Sequence, residues 1–266
     1  MYSFPREIDS IDPHPLKFSI CTLVNNKVEY DEMIGSFLTA GFGQFDCEYL
    51  YIDNSVTNKY EAYQGLNKFL TVAKGKYVIL CHQDILLNHD NRAKLEQCIE
   101  EMEKKYPDWA LLGNAGGVRI KWIASNIENA DAEINHEKNL PLEVRSLDEN
   151  FILVKKEANL GLSHDLKGYH FYGTDLCIMA GVMGYKAYVI NFLLTHKSSG
   201  NPGKDFYILK NNFIKKYKKA LGGKFIQTTI TKVFIGGSSL KSLVYNSKPA
   251  FKLISLYYKT LGSKTR

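Results

Sequence analysis

Residues 78–90 read VILCHQDILLNHD, and in them an apolar run stops abruptly at polar side chains. Residues 78–81 have the composition of a buried strand, and His82, Gln83 and Asp84 follow them directly. In open parallel sheets, ligands bind beyond the carboxyl ends of the strands. An imidazole and a carboxylate at such an end are either solvated strand-end residues or part of a metal site.

The sequence on both sides of this stretch alternates between strand and helix patterns. Strands of β-branched and aromatic residues are separated by segments with apolar positions at helical spacing, which is typical of βαβ units. The predicted order is strand 17–24, helix 28–40, strand 47–55, helix 58–75 closed by Gly75, strand 76–81, helix 91–107 and strand 109–113. We therefore predict an α/β fold with a mainly parallel sheet flanked by helices. Shorter strands at 118–124, 143–147 and 150–157 precede a helix at 175–185 and a strand at 186–192.

The composition is that of a globular protein: 266 residues, 45% hydrophobic and 23% charged. The five cysteines form no CxxC pair, so we expect reduced thiols and neither disulfides nor zinc. The first residues, MYSFPREIDSIDPHP, have no apolar core, and no run reaches the length of a transmembrane helix. These features predict a cytoplasmic protein.

Charge divides the chain near residue 203. Residues 204–266 contain fourteen Lys or Arg and one acid, Asp205, and carry +13, whereas residues 1–203 carry −7. We predict a domain at 1–203 and a basic, helix-rich C-terminal extension at 204–266. The extension is either a set of solvated helices, a nucleic-acid-binding segment, or a surface for anionic membranes, since its lysines alternate with Phe, Ile, Leu and Tyr.

The sequence lacks the characteristic motifs of several enzyme classes. The sequence has no G-x-x-x-x-G-K-[ST] of P-loop proteins and no G-x-S-x-G of α/β-hydrolases. A sugar-nucleotide nucleotidyltransferase would show a glycine-rich basic loop after the first strand, where this chain has LVNNKVEYDE. A protein that binds nucleic acid through the tail alone is disfavoured by the acidic body.

Four motifs together resemble the nucleotide-sugar half of family 2 inverting glycosyltransferases. They are a first strand ending in Asn, a second ending in DNS, a helix with N-K-x-x-x-x-A-K-G, and a strand ending in x-x-D. The stretch GYHFYGTDLCIMAGVMGYKAYVINFLLTHKSSG is similar to a bacterial subset in which H-Q-D replaces the usual acidic triplet. The resemblance covers about residues 17–200 and implies the GT-A fold.

The resemblance implies an inverting hexosyltransferase that moves a sugar from a nucleotide-diphosphate donor, with UDP expected, to a glycan or lipid-linked acceptor. The setting would be bacterial surface polysaccharide synthesis, with peripheral attachment at the inner face of the cell membrane. It implies Asp175 as catalytic base, and Asp84 and His196 as ligands of Mn²⁺ or Mg²⁺. It implies that His170 and Tyr172 contact the acceptor. The donor contacts that it implies are made by Thr22, Val24, Asn25, Asp53, Asn54, Lys74, His82, Gln83 and Asp84.

Structural roles remain open beside these functional ones. Asp175 follows Gly-Thr before an apolar helix and also fits an N-cap. His82 is as well suited to a supporting or sugar-contacting role as to metal ligation. His196 also fits a surface loop, and His170 a packed core position. Asp53, with Asn54, would equally suit a tight turn.

Overall fold

The computed structural model describes residues 14–43, 45–131, 133–198, 203 and 205–260. The N-terminal residues 1–13, on which most of the signal-peptide argument rests, lie outside this range. The chain divides into two compact units, Met1–Leu209 and Lys210–Arg266. The predicted boundary at residue 203 stays a prediction.

The first unit is built around a seven-stranded sheet with the order β2-β1-β3-β11-β5-β12-β9. The strands are β1 (Leu16–Val24), β2 (Cys47–Asp53), β3 (Gly75–Cys81), β5 (Trp109–Gly113), β9 (Leu142–Val144), β11 (Phe151–Lys155) and β12 (Lys186–Val189). A second sheet has the order β10-β6-β7-β13-β4, with β8 paired to β7. Its strands are β4 (Ile85–Leu86), β6 (Ala115–Arg119), β7 (Trp122–Glu128), β8 (Ile134–His136), β10 (Ser146–Leu147) and β13 (Leu194–His196).

The predicted α/β fold is confirmed, and its sheet is mixed. β1 pairs in parallel with β2 and β3, and β12 pairs in parallel with β5. β11 lies antiparallel between β3 and β5, and β9 is antiparallel at the edge. The chain therefore reverses direction inside the sheet, which places the amino end of β11 beside the carboxyl end of β3.

Helices cover both faces of this sheet. They are α1 (Lys27–Phe37), α2 (Ala62–Val72), α3 (Arg92–Lys105) and α4 (Tyr172–Val182). On one face, Met33 of α1 and Leu95 of α3 pack with Tyr77 and Ile79 of β3 in the main apolar core. On the other face, α2 approaches β1 closely. Both faces of β3 are thus buried, which explains its unbroken apolar sequence.

Local signals placed most elements within a few residues of their observed bounds. Asn26 and Asn91 cap α1 and α3 by accepting backbone N–H groups, as their side chains favour. A π-helical turn, Leu38–Phe42, extends α1, and a 3₁₀ turn, Lys156–Ala158, follows β11.

The prediction that Gly75 closes a helix was wrong. α2 ends at Val72, and Gly75 is the first residue of β3. A Cβ atom at Gly75 would lie 2.5 Å from the backbone nitrogen of Ser19. Glycine is needed here because two strands approach closely, and a sequence pattern cannot distinguish this requirement from a helix cap.

The second unit contains a β-hairpin as well as the predicted helices. α5 (Phe206–Ala220) begins in the first unit and continues into the second. The hairpin of β14 (Lys224–Gln227) and β15 (Lys232–Ile235) follows it, and α6 (Ser239–Tyr245) and α7 (Lys248–Thr260) come last. A small aromatic core joins the hairpin to the helices through Phe225, Phe234, Tyr245 and Phe251. Across the parts of the chain that are described, no helix combines the length and apolar character needed to cross a bilayer.

Candidate functional site

The carboxyl ends of β1 and β3 form one edge of a cleft. The two strands are parallel neighbours, so the residues that follow them meet at this edge of the sheet. The side chain of Gln83 joins the two loops, because its Oε1 accepts hydrogen bonds from the backbone N–H groups of Asn25 at 2.8 Å and Asn26 at 3.0 Å. Gln83 therefore fixes the position of the neighbouring His82 and Asp84.

His196 joins these residues from a distant part of the chain. β13 pairs antiparallel with β4, and His196 lies opposite Ile85, the residue after Asp84. His196 Nε2 is 3.5 Å from Asp84 Oδ1, and His82 Nδ1 is 3.9 Å from the same oxygen. One ligand atom from each of the three side chains lies within 4.8 Å of the other two. We call His82, Asp84 and His196 the His-Asp-His cluster.

The surroundings keep Asp84 ionised. Partial burial raises its pKa. Hydrogen bonds from His196 and Ser198 and the nearby imidazoles lower the pKa by more than burial raises it, so it lies well below its usual value. Asp84 is thus a carboxylate at neutral pH and supplies the negative charge that a divalent cation needs. For His82, burial lowers the pKa and the charge of Asp84 partly offsets this, which favours the neutral imidazole that metal ions require.

Hydrogen bonding also determines the tautomer of His82. The hydroxyl of Tyr172 lies 2.8 Å from His82 Nε2 and 3.1 Å from the backbone oxygen of Glu149. A carbonyl oxygen can only accept, so Tyr172 donates its one proton to Glu149 and must accept from His82 Nε2–H. His82 Nδ1 is then left with a lone pair on the side of Asp84. The cluster thus offers one carboxylate and two imidazoles, a donor set that suits a divalent transition-metal ion.

Two cavities meet at the His-Asp-His cluster. The first, about 360 Å³, is lined by the loops after β1 and β3, by α2, and by all three residues of the cluster. The second, about 530 Å³, lies towards β6 and the start of α4 and shares His82, His196 and His170 with the first. Its other walls include Gly116, Ile123, Asp148, Glu149, Phe171 and Phe206. A ligand bridging both cavities would pass directly over the cluster.

Among the predicted donor-binding residues, Asn25, His82, Gln83 and Asp84 line the first cavity. Thr22 and Val24 are buried in β1. Lys74 lies just before the amino end of β3, about 26 Å along the strand from His82, so the fold does not bring it to the cleft.

β2 ends at Asp53, Asn54 follows it, and both side chains have local partners. Hydrogen bonds from Ser55 and an ion pair with Lys27 at 2.9 Å lower the pKa of Asp53 well below its usual value. The side chain of Asn54 donates to the backbone oxygen of Tyr60 and accepts from the N–H of Lys59, which closes the loop before α2. The turn role considered for this pair is therefore present in the structure.

The predicted acceptor residues differ in their surroundings. His170 lines both cavities, and its ring packs edge-on against Phe206 at 5.3 Å. Tyr172 is 5% exposed, and its hydroxyl is used by His82 and Glu149. Tyr172 is thus placed to orient His82.

Asp175 lies inside the fold and does not line either cavity. Its side chain is fully buried, one carboxylate oxygen accepts from the backbone N–H of Ser163, and the other accepts from the Ser163 hydroxyl, each at 2.7 Å. Its role as the base stays a prediction.

Sequence reasoning missed the acidic pair Asp148 and Glu149, which lines the second cavity. Burial raises the pKa of Glu149 to about 8, partly offset by backbone N–H groups at the start of α4. In the sequence the pair comes just before the buried strand β11, but its position in the cleft depends on the direction of that strand. The rule that ligands bind beyond the carboxyl ends of strands does not locate this pair, because β11 runs antiparallel to β3 and brings its amino end to the same edge.

This chain is similar to a known protein in sequence and to a solved structure in fold. No protein-family model matches the chain. The product of "ATP synthase subunits region ORF 6" of Fuscovulum blasticum is 31% identical over 243 residues, which cover 89% of this chain and 98% of that protein. A mannosyltransferase from Pyrobaculum calidifontis, in complex with GDP-Man and Mn²⁺, superposes with a TM-score of 0.52 at 11% identity. The match covers 81% of this chain and 68% of the mannosyltransferase. The fold is GT-A.

Proposed function

We propose a function for this chain on the premise that it belongs to the same protein family as the ORF 6 product of Fuscovulum blasticum and has the GT-A fold. It is a metal-dependent glycosyltransferase that takes a sugar from a nucleotide-diphosphate donor. The observation that carries this proposal is the His-Asp-His cluster at the junction of two cavities. With the donor diphosphate at the cluster, the nucleotide would lie in the first cavity and the acceptor in the second.

The ion that suits the cluster best is Mn²⁺, with Mg²⁺ as the alternative. Carboxylate oxygen suits both ions, whereas two imidazoles shift the preference from Mg²⁺ towards Mn²⁺. Asp84 and His196 are the predicted ligands, and the lone pair on His82 Nδ1 adds a third. When bound, the ion would neutralise negative charge on the leaving diphosphate.

The residues of the chain would supply binding, orientation and a proton acceptor. Asn25, which follows β1, and Asp53, the last residue of β2, would contact the nucleoside of a UDP-linked donor. His170, with Phe171 and Phe206 beside it, offers an aromatic wall for an acceptor sugar. The displacement would be inverting, in which one base takes the proton of the acceptor hydroxyl as that oxygen attacks the anomeric carbon.

The acceptor would be a glycan or lipid-linked sugar of bacterial surface polysaccharide synthesis, reached at the cytoplasmic face of the membrane. The second unit supports this setting. α6 exposes Leu240 and Leu243, and α7 exposes Leu253 and Leu256, and lysines accompany them in both helices. Apolar side chains interleaved with lysines favour binding to the surface of an anionic bilayer.

The decisive experiment is a calorimetric titration of the full chain with UDP, GDP and UDP-sugars, with and without Mn²⁺. At least one nucleotide should bind, and Mn²⁺ should tighten its binding. Asp84→Ala should remove the effect of Mn²⁺. Glu101→Ala is the matched control, because it removes an acid from an exposed pair on α3. Binding that is the same with and without Mn²⁺ would contradict the proposed site, and failure of every nucleotide to bind would contradict the proposed function.

A further inference from the structure

Glu149 lies at the junction of two structural elements beside the cleft. It sits in the short link between β10 and β11, and its Oε1 accepts a hydrogen bond from the backbone N–H of Gly173 at 3.3 Å. Glu149 lines the second cavity together with His82 and His196. A carboxylate is thus held at the start of α4, on the wall of the cavity assigned to the acceptor.

The backbone leaves no room for another side chain at this point of α4. A Cβ atom at Gly173 would lie 2.4 Å from the backbone oxygen of Leu147 and 3.3 Å from Cγ of Glu149. The second residue of the helix therefore cannot carry an acid of its own. The carboxylate next to it is supplied by Glu149, from another part of the chain.

Asp175, the base expected from the family resemblance, has a different environment. It is on the same helix, but it has no exposed surface and Ser163 occupies both of its oxygens. To reach an acceptor hydroxyl it would have to break these hydrogen bonds and become exposed. Glu149 needs no such rearrangement.

We propose that Glu149 is the catalytic base of the reaction, a step that rests on the proposed glycosyltransferase function. The Glu149 carboxylate takes the proton from the acceptor hydroxyl. The acceptor oxygen forms a bond to the anomeric carbon of the donor sugar, and the bond between that carbon and the diphosphate oxygen breaks. The electron pair of the broken bond leaves with the diphosphate, and the proton remains on Glu149 until it passes to solvent.

The electrostatics suit this role. Burial raises the pKa of Glu149 to about 8, while N–H groups of Gly173, Tyr172 and Phe171 limit the rise. A base is most effective when its pKa is near the working pH. The titratable groups that face Glu149 are Asp148 beside it and Tyr172 on α4, with His82, His170 and His196 on the walls of the same cavity.

A purely structural role makes a different prediction. If Glu149 serves only to cap α4, Glu149→Gln should leave turnover nearly unchanged, because an amide oxygen still accepts from Gly173 N–H. If Glu149 is the base, the same substitution removes the proton acceptor and keeps the cap.

The test uses the full chain with Mn²⁺ and a panel of UDP-glucose, UDP-galactose, UDP-N-acetylglucosamine and GDP-mannose. Release of the nucleoside diphosphate is followed with water as acceptor, and binding of the same donor is measured by calorimetry. Glu149→Gln should lower turnover at least about a hundredfold, while donor affinity and Tm change little. The wild-type rate should rise with pH through the pKa of Glu149, and Glu149→Gln should remove that rise.

Three results would overturn the inference. One is a Glu149→Gln variant that keeps more than about a tenth of wild-type turnover, far above the loss expected for a missing base. Another is a Glu149→Gln variant that loses donor binding or Tm along with turnover, since a residue with a structural role would produce that result. The third is a wild-type chain that neither binds nor turns over any donor, because the proposed function then fails and the base fails with it. Donor binding by the wild type distinguishes the last case from the first two.

Discussion

The hydroxyl of Tyr172 accepts a hydrogen bond from Nε2 of His82 at 2.8 Å and thereby turns the lone pair of Nδ1 towards Asp84. Tyr172, on α4, donates its proton to the backbone oxygen of Glu149, in the loop before β11. These two elements together therefore determine the tautomer of His82 at the end of β3. Such outer partners orient a ligand and contribute to metal affinity without touching the metal.

Removing that hydroxyl should weaken metal binding. Tyr172→Phe leaves His82 Nε2–H without its acceptor, so the imidazole can adopt the other tautomer or rotate. Loss of an outer partner typically costs 10- to 100-fold in metal affinity, and we expect about tenfold here. Titration with Mn²⁺, with free ion followed by electron paramagnetic resonance, measures the effect.

The matched control is Tyr49→Phe, which removes a hydroxyl that donates to the backbone oxygen of Phe42, on the opposite side of β1 from β3. Its Mn²⁺ affinity should equal that of the wild type. Equal affinities in all three proteins would show that His82 does not ligate the ion through Nδ1.

Two glycine-to-alanine substitutions should change stability in opposite directions. At Gly75 the new methyl group would lie 2.5 Å from Ser19 N and 2.6 Å from Phe18 C, so β1 and β3 would have to separate. We expect a loss of about 3 kcal/mol, within the range for strain and overpacking. Urea unfolding followed by circular dichroism measures the change in the free energy of unfolding.

Gly35, by contrast, lies within α1 and has open space around its Cα. Gly35→Ala should stabilise the chain by about 0.5–1 kcal/mol, because alanine has the better helix propensity. A stability for Gly75→Ala at or above that of Gly35→Ala would show that the close approach of the two strands is not as described.

The ion pair between Arg92 and Asp46 should contribute more to stability than the exposed pair between Lys105 and Glu101. Its guanidinium binds Asp46 through two nitrogens, at 2.8 and 2.6 Å, and Glu96 through Nε at 2.8 Å, while the residue itself is 8% exposed. Arg92→Ala should cost about 2 kcal/mol, less than a fully buried pair because Asp46 is partly exposed. Lys105→Ala, which removes an exposed i,i+4 pair with Glu101, should cost a few tenths of a kcal/mol.

The contribution of the Arg92 pair should depend on pH. The hydrogen bond from Arg92 lowers the pKa of Asp46, so the native state holds the proton less tightly than the unfolded state. The stabilisation is therefore present above the ordinary pKa of 3.8 and is lost as the pH falls below it. Acid unfolding curves of wild type and Arg92→Ala should converge in that range, and a constant difference would contradict this account.

The second unit should bind anionic bilayers. The full chain should co-sediment with phosphatidylglycerol-containing vesicles at low salt and stay in solution with phosphatidylcholine alone. Each lysine near the surface contributes about 1 kcal/mol, so Lys252→Glu with Lys259→Glu should weaken binding at least about tenfold. Lys104→Glu with Lys105→Glu, on α3 of the first unit, makes the same charge change and should have little effect. Equal losses in both double variants would indicate a response to net charge alone.

The fold brings some of the predicted site residues together and leaves others apart. Residues placed by the strand-end rule, such as Asn25, Gln83 and Asp84, line the first cavity, because β1 and β3 are parallel neighbours and local patterns locate both strands. His196 was placed beside Asp84 by resemblance, and the pairing of β13 with β4 supplies the physical reason. Lys74 lies at the other end of β3. A sequence motif does not reveal which edge of the sheet each of its residues reaches.

The sequence by itself determined the α/β alternation, the buried β3 and the abrupt change to His82, Gln83 and Asp84, because hydrophobic periodicity and local caps are short-range properties. Only the tertiary structure decided that β11 runs antiparallel beside β3, that Glu149 reaches the cleft, and that Asp175 is enclosed by Ser163. These outcomes depend on strand direction and on contacts between residues far apart in the chain. No local pattern of residues encodes them.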